Sequence, residues 1–183
     1  MNWLNTILIL AVAFLAIFLE ATFDGARNLL GAQIDLLPGL MVYAGLNLGL
    51  TAVAVVAVAS GFCFDALSAN PFGVSVLPLF LVGWIVHFKQ HLILREQAFA
   101  QFILGLGASA FAPLVTLLIS LNGEVPPLIG LGTLWQWLVM TIGGALFTPL
   151  YFWFFGRVHR ALNYQPLNQS TFRPDREIKR GRS

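Results

Sequence analysis

Long stretches without any charged residue divide this chain. Five such windows can be read from the sequence, and each is dense in Leu, Val, Ile, Ala and Phe: 1–19, 36–64, 66–88, 97–123 and 125–156. About 20 helical residues cross the hydrocarbon core of a bilayer, which is about 30 Å thick. Backbone polar groups in lipid must be satisfied within the spanning structure, and the windows lack the alternation of barrel strands. They therefore predict an all-α integral membrane protein.

Composition supports the same prediction and leaves little room outside the membrane. Hydrophobic residues make up 58% of the 183 residues and charged residues only 10%, whereas soluble domains have about 25% charged residues. The sequence has no nucleophile–base spacing, no phosphate-binding loop and no third ligand to join His87 and His91. We therefore expect no enzymatic activity, no cofactor, no bound metal and no nucleic-acid partner.

The second window decides the number of spans. Its 29 residues are too many for one span without steep tilt, and its centre, Gly45-Leu46-Asn47-Leu48-Gly49, contains weak helix formers suited to a turn. We predict two short helices, roughly 36–47 and 50–65, that form a hairpin and bring the total to six spans. The alternative is five spans with the N-terminus outside, which places every Lys and Arg in the cytoplasm, whereas six spans misplace Arg27.

Both counts put the C-terminus in the cytoplasm. We divide the chain into a polytopic transmembrane domain, 1–162, and a basic tail, 163–183. The segment from Arg157 onward holds seven of the ten Lys and Arg residues against two acids, Asp175 and Glu177. Its composition predicts disorder. Its charge predicts a position close to anionic lipid headgroups, and docking of a cytoplasmic partner is the alternative.

Asp65 is the best candidate for a functional residue within the membrane. It closes one apolar run, and the turn residues Asn70, Pro71 and Gly73 follow it. Ionisable groups at membrane depth usually have a function, but a carboxylate can equally cap a loop or the next helix N-terminus. Both roles stay open.

Pairs of small residues four positions apart predict close helix packing. Such pairs allow two backbones to approach, either within the protein or against another membrane protein. The pairs are Gly45 and Gly49, Ala57 and Gly61, Gly105 and Ser109, and Ala108 and Ala112.

The order of these features resembles the bacterial rod shape-determining MreD family over roughly residues 1–162. The most specific part is Gly61-Phe62-x-x-Asp65 followed by Asn70-Pro71-Phe72-Gly73. Weaker signals are Asp35-Leu36-Leu37-Pro38 and a last span with Thr148-Pro149. Two departures are a hairpin turn without basic residues and a longer basic tail.

The resemblance implies six spans with both ends cytoplasmic in the bacterial inner membrane. It implies a fold similar to the substrate-binding subunits of energy-coupling-factor transporters. The implied function is that of a non-enzymatic scaffold of the cell-elongation complex, which maintains rod shape within the lipid membrane. The implied partners are the bitopic protein MreC and, beyond it, MreB filaments and the peptidoglycan synthase pair of RodA and a penicillin-binding transpeptidase. The candidate structural or partner-binding residues are Asp35, Pro38, Gly61, Phe62, Asp65, Asn70, Pro71 and Gly73.

A small-molecule-binding subunit of a membrane transporter is the alternative function. The related fold motivates it, with Asp65, Asn70, Gln101 and Gln136 as candidate pocket groups. An intramembrane enzyme is a third possibility, which no pair of catalytic groups in the sequence supports.

Overall fold

The computed structural model is built from α-helices. It describes residues 3–22, 25, 31–68, 71–90, 97–121 and 130–162, and over these residues it has six helices and no strand. They are α1 (Trp3–Thr22), α2 (Leu37–Asn47), α3 (Leu50–Leu67), α4 (Val76–Lys89), α5 (Ala98–Leu121) and α6 (Leu131–Leu162). Of these, α1, α3, α5 and α6 are long and apolar enough to cross a membrane. The basic tail, 163–183, lies outside the described residues.

The second apolar window does not form one continuous helix. α2 ends at Asn47 and α3 begins at Leu50, so the break falls where the sequence predicts it. Leu48 is extended, and the Asn47 side-chain amide donates to the Tyr43 carbonyl over 2.9 Å, which satisfies a carbonyl of the last turn. α2 is short, with 11 residues, but α3 has 18. The prediction that both would be short is wrong for α3.

Successive helices run in opposite directions. The C-terminal ends of α1, α3 and α5 and the N-terminal ends of α2, α4 and α6 line one common cavity. The described charges follow the same division: the carboxylates Glu20, Asp35 and Asp65 lie at the cavity end, and Lys89, Arg157 and Arg160 lie towards the far ends of α4 and α6. We call the first the carboxylate end and the second the basic end.

α2 forms the centre of the bundle. All ten residues from Leu37 to Leu46 are buried, and α2 contacts each of the other five helices. Tyr43 stacks on Phe155 of α6 with ring centroids 4.2 Å apart. A helix that is apolar on every side is stable only where every side is covered. At about 1.5 Å per residue, α2 is about 16 Å long, roughly half the thickness of the hydrocarbon core.

Small residues bring the helices together inside the protein. A Cβ atom added at Gly45 would lie 2.7 Å from the Gly83 carbonyl oxygen, so α2 and α4 touch backbone to backbone. A Cβ atom added at Gly105 would lie 2.6 Å from Cβ of Thr148, where α5 crosses α6. Internal packing is thus confirmed at Gly45 and at Gly105, whereas Gly49, the second residue of the Gly45 pair, has no atom within 4 Å of an added Cβ.

The exterior of the bundle is apolar. Large side chains such as Phe14, Phe99 and Trp153 are more than half exposed, whereas Ser109 and Thr148 are buried. Soluble proteins rarely expose large continuous apolar areas. An apolar surface around a partly polar interior is compatible with a multi-pass membrane protein.

Candidate functional site

The Asp65 carboxylate closes the turn between α3 and α4. Its Oδ2 accepts hydrogen bonds from the Gly73 amide over 2.8 Å and from the Ser75 amide over 3.2 Å. Ser75 is the residue at the N-terminal boundary of α4, where backbone N–H groups lack partners within the helix. Asp65 itself is only 2% exposed. These hydrogen bonds confirm the capping role, one of the two roles that the sequence left open for Asp65.

Two glycines make this turn possible. Gly73 has φ +88°, a conformation that L side chains rarely adopt. Gly61 lies directly against the start of α4, since an added Cβ would lie 2.7 Å from Val76 Cγ2 and 2.9 Å from the Val76 nitrogen. The structure therefore brings Gly61, Asp65 and Gly73 together, and we call them, with residues 71–76, the Asp65 turn.

The remaining candidates from the sequence are spread over the bundle. Phe62 is 47% exposed and lies beside the Asp65 turn, with its Cε1 3.9 Å from a Cβ built at Gly73. Pro71 is exposed on the turn itself, and Pro38 is buried in the first turn of α2. Asn70 lies outside the described residues. Asp35 is not part of the Asp65 turn and lines the cavity instead.

The cavity at the carboxylate end has a volume of about 1190 Å³, and all six helices contribute to its lining. Small-molecule sites are usually apolar clefts of about 300–1,000 Å³ with a few well-placed polar groups. Apolar residues such as Phe64, Trp137 and Phe147 dominate this lining. Glu20, Gln33, Asp35 and Gln136 add polar groups, which we call the acidic corner.

Two carboxyl groups of the acidic corner bind the start of α2. The Leu36 amide donates to Glu20 Oε1 over 2.6 Å, and the Leu37 amide donates to Asp35 Oδ1 over 3.0 Å. Negative charge is favoured at a helix N-terminus, where amide groups point outward. Burial raises the pKa of Asp35 above its ordinary value, to about 6, although the hydrogen bond from Leu37 lowers it.

The segment before α2 is fixed to α6. The backbone N–H of Gln33 donates to Gln136 Oε1 over 3.2 Å, and Gln136 Nε2 donates back to the backbone carbonyl of Gln33 over 3.1 Å. Ile34 packs on Gly143, where an added Cβ would lie 2.6 Å from Ile34 Cγ2. The carboxyl of Asp35 is therefore carried by a segment that the rest of the bundle holds in place.

Glu20 was not among the candidate site residues predicted from the sequence. The sequence does contain a signal for it. Glu20 is an acid directly after the first apolar window, and Asp35 is an acid directly before the second. Of the pocket groups suggested by the sequence, Gln136 lines the cavity, and Asp65 and Gln101 do not.

The described residues contain no group of three or more His, Cys, Asp and Glu side chains placed to hold a metal ion. His87 Nδ1 lies 3.2 Å from the Gly45 carbonyl oxygen, and His91 lies outside the described residues. Comparisons of the chain with family models, with curated proteins and with solved structures give no match.

Proposed function

We propose that this chain is a non-enzymatic membrane scaffold of the MreD type, which acts in the bacterial cell-elongation complex and maintains rod shape. One observation carries the proposal. The segment with the most specific resemblance forms the Asp65 turn, in which the turn's own amides bind Asp65 Oδ2. In the proposal, this hydrogen-bonded turn holds a surface that a partner binds. In this proposal the partner is an MreC-like bitopic protein, through which the chain links MreB filaments to RodA and the transpeptidase.

The charges support one orientation of the proposed six-span protein. Short loops that face the cytoplasm carry an excess of Lys and Arg. Lys89, Arg157 and Arg160 belong to the basic end, so the proposal puts this end and both termini in the cytoplasm of a bacterial inner membrane. The Asp65 turn and the cavity then face the opposite side.

The proposal assigns the partner contact to aromatic side chains of the Asp65 turn. Phe72 is 74% exposed on the turn, and Phe62 lies beside the same turn, near Gly73. Aromatic anchors on a rigid support carry much of the binding energy of protein interfaces. The fixed backbone between Asp65 and Ser75 provides such a support.

Copurification of an MreC-like partner with the Phe72→Ala variant tests the proposal. We expect the apparent affinity to fall at least about tenfold, as for a hot-spot aromatic residue. Phe99→Ala is a matched control, because Phe99 is also 74% exposed and lies in the first turn of α5, at the basic end. Equal recovery of the partner with both variants would contradict the assignment. Normal shape of a rod-shaped host after clean deletion would contradict the function.

A second candidate function is a small-molecule-binding subunit of a membrane transporter. The observation in its favour is the cavity, which combines about 1190 Å³ of space with two carboxyl groups and the Gln136 amide. A transporter subunit of this kind would copurify with an ATPase module, and a scaffold would copurify with the MreC-like protein. The two candidates therefore differ in the partner recovered from the membrane.

A further inference from the structure

Most of the cavity wall is suited to an apolar body. Phe64, Phe147 and the ring of Trp137 contribute apolar surface. The polar atom of Trp137 is already used, since Nε1 donates to the Ala110 carbonyl over 3.0 Å. The hydroxyl of Thr116 likewise donates to the Ala112 carbonyl over 3.1 Å. These two polar groups therefore serve the helices, and the two carboxyl groups that line the cavity lie in the acidic corner.

The acidic corner has an acceptor without a donor. Glu20 Oε2 is buried, and no described residue donates a hydrogen bond to it. A buried polar atom without a partner is rare in native structures and calls for an explanation. The cations in the described part of the chain, Lys89, Arg157 and Arg160, belong to the basic end. The donor that would complete the corner is thus not one of their side chains.

We propose that the cavity binds a small organic amine with an aromatic or similarly apolar body. The protonated nitrogen lies at the Glu20 and Asp35 carboxyl groups, and the body lies against Phe64, Trp137 and Phe147. An amine fits this corner because Glu20 Oε2 has no donor among the described residues, and a protonated amine supplies a stronger N–H donor to a carboxylate than a neutral or anionic analogue of the same shape does. This proposal rests on the second candidate function and is independent of the scaffold role.

Calorimetric titration of the purified full-length chain in detergent micelles tests the proposal. The probe is tryptamine, and the controls are tryptophol, in which a hydroxyl replaces the amine, and indole-3-acetate, which carries a carboxylate. We expect saturable binding of tryptamine, binding of tryptophol about tenfold weaker or more, and no binding of indole-3-acetate. These ratios follow from the strength of hydrogen bonds to charged groups.

Matched variants connect the binding to the corner. Glu20→Gln should weaken tryptamine binding about tenfold or more. Glu96→Gln, the same substitution in the chain segment between α4 and α5, should leave it unchanged. Leu117→Trp keeps both carboxyl groups and fills part of the cavity, so it should also weaken binding. An unchanged elution profile and helical circular dichroism show that each variant is folded.

Several results would overturn the proposal. Equal affinity for all three indoles, or no affinity for any of them, would remove the selection for an amine. Binding of tryptamine by Glu20→Gln as tightly as by the wild type would remove the corner from the site. If tryptamine bound only to an Arg27→Gln variant, the wild-type chain would be supplying its own cation, Arg27, to the acidic corner. Because binding is measured on the purified chain, failure to copurify with an ATPase module would count against the transporter role alone.

Discussion

The Asp65 turn and the acidic corner lie at the same end of the bundle and use carboxylates in the same way, as acceptors for backbone amides. Each also has a buried carboxylate oxygen without a described partner, Asp65 Oδ1 and Glu20 Oε2. They differ in what surrounds the carboxylate. Asp65 lies in a closely packed turn, whereas Glu20 borders a cavity of about 1190 Å³. The packing around the carboxylate, more than its hydrogen bonds, therefore distinguishes the two regions.

The largest effect is expected from Asp65→Leu. This change leaves the amides of Gly73 and Ser75 without their acceptor, and each buried unsatisfied donor costs about 1–3 kcal/mol. The apparent melting temperature in detergent should fall markedly. Asp65→Asn retains an acceptor oxygen, so its melting temperature should fall much less. A leucine variant as stable as the wild type would mean that the turn does not depend on Asp65, and the comparison with the acidic corner would break.

An intermediate effect is expected from Gly61→Ala. The added methyl group would lie under 3.0 Å from backbone atoms of Val76, which cannot move without shifting α4. Such overpacking typically costs about 1–3 kcal/mol. Gly107→Ala is the control, because Gly107 is exposed on α5 with no atom within 4 Å, and replacing a helical glycine stabilises by up to about 1 kcal/mol. Thermal melts that shift in the same direction for both variants would contradict close packing at the turn.

The smallest effect concerns pH and the acidic corner. Because burial raises the pKa of Asp35 to about 6, the folded chain binds this proton more tightly than the unfolded chain. Stability should therefore fall as pH rises from about 4 to about 6. Asp35→Asn keeps an acceptor for the Leu37 amide and cannot ionise, so its melting temperature should depend less on pH. Parallel curves for the two proteins would show that the Asp35 proton is not coupled to folding.

Local chemistry allowed parts of the fold to be predicted from the sequence. The weak helix formers around Asn47 are enough to predict the helix break, and the break falls at Leu48 and Gly49 as expected. The capping option for Asp65 needed only an acid before a turn that contains Gly73. In each case the residues that decide the structure are close together in the chain.

The acidic corner could not be predicted because distant residues form it. Glu20 binds an amide 16 positions further along the chain, and Gln33 pairs with Gln136 across 103 positions. Apolar periodicity says which residues avoid water, but it does not say which helix ends meet. For the same reason the sequence predicted α2 as half of a hairpin and missed that five helices enclose it.

The enclosed position of α2 has a consequence for biosynthesis. Translation delivers α2 before α4, α5 and α6, so most of its final neighbours do not exist when it leaves the ribosome. With 11 residues it is too short to remain in the bilayer as an ordinary span. The early part of the chain therefore stays incompletely packed until α6 is synthesised and Phe155 covers Tyr43. A nascent chain that stops before Leu131 would lack α6 and so leave the core around α2 unfinished.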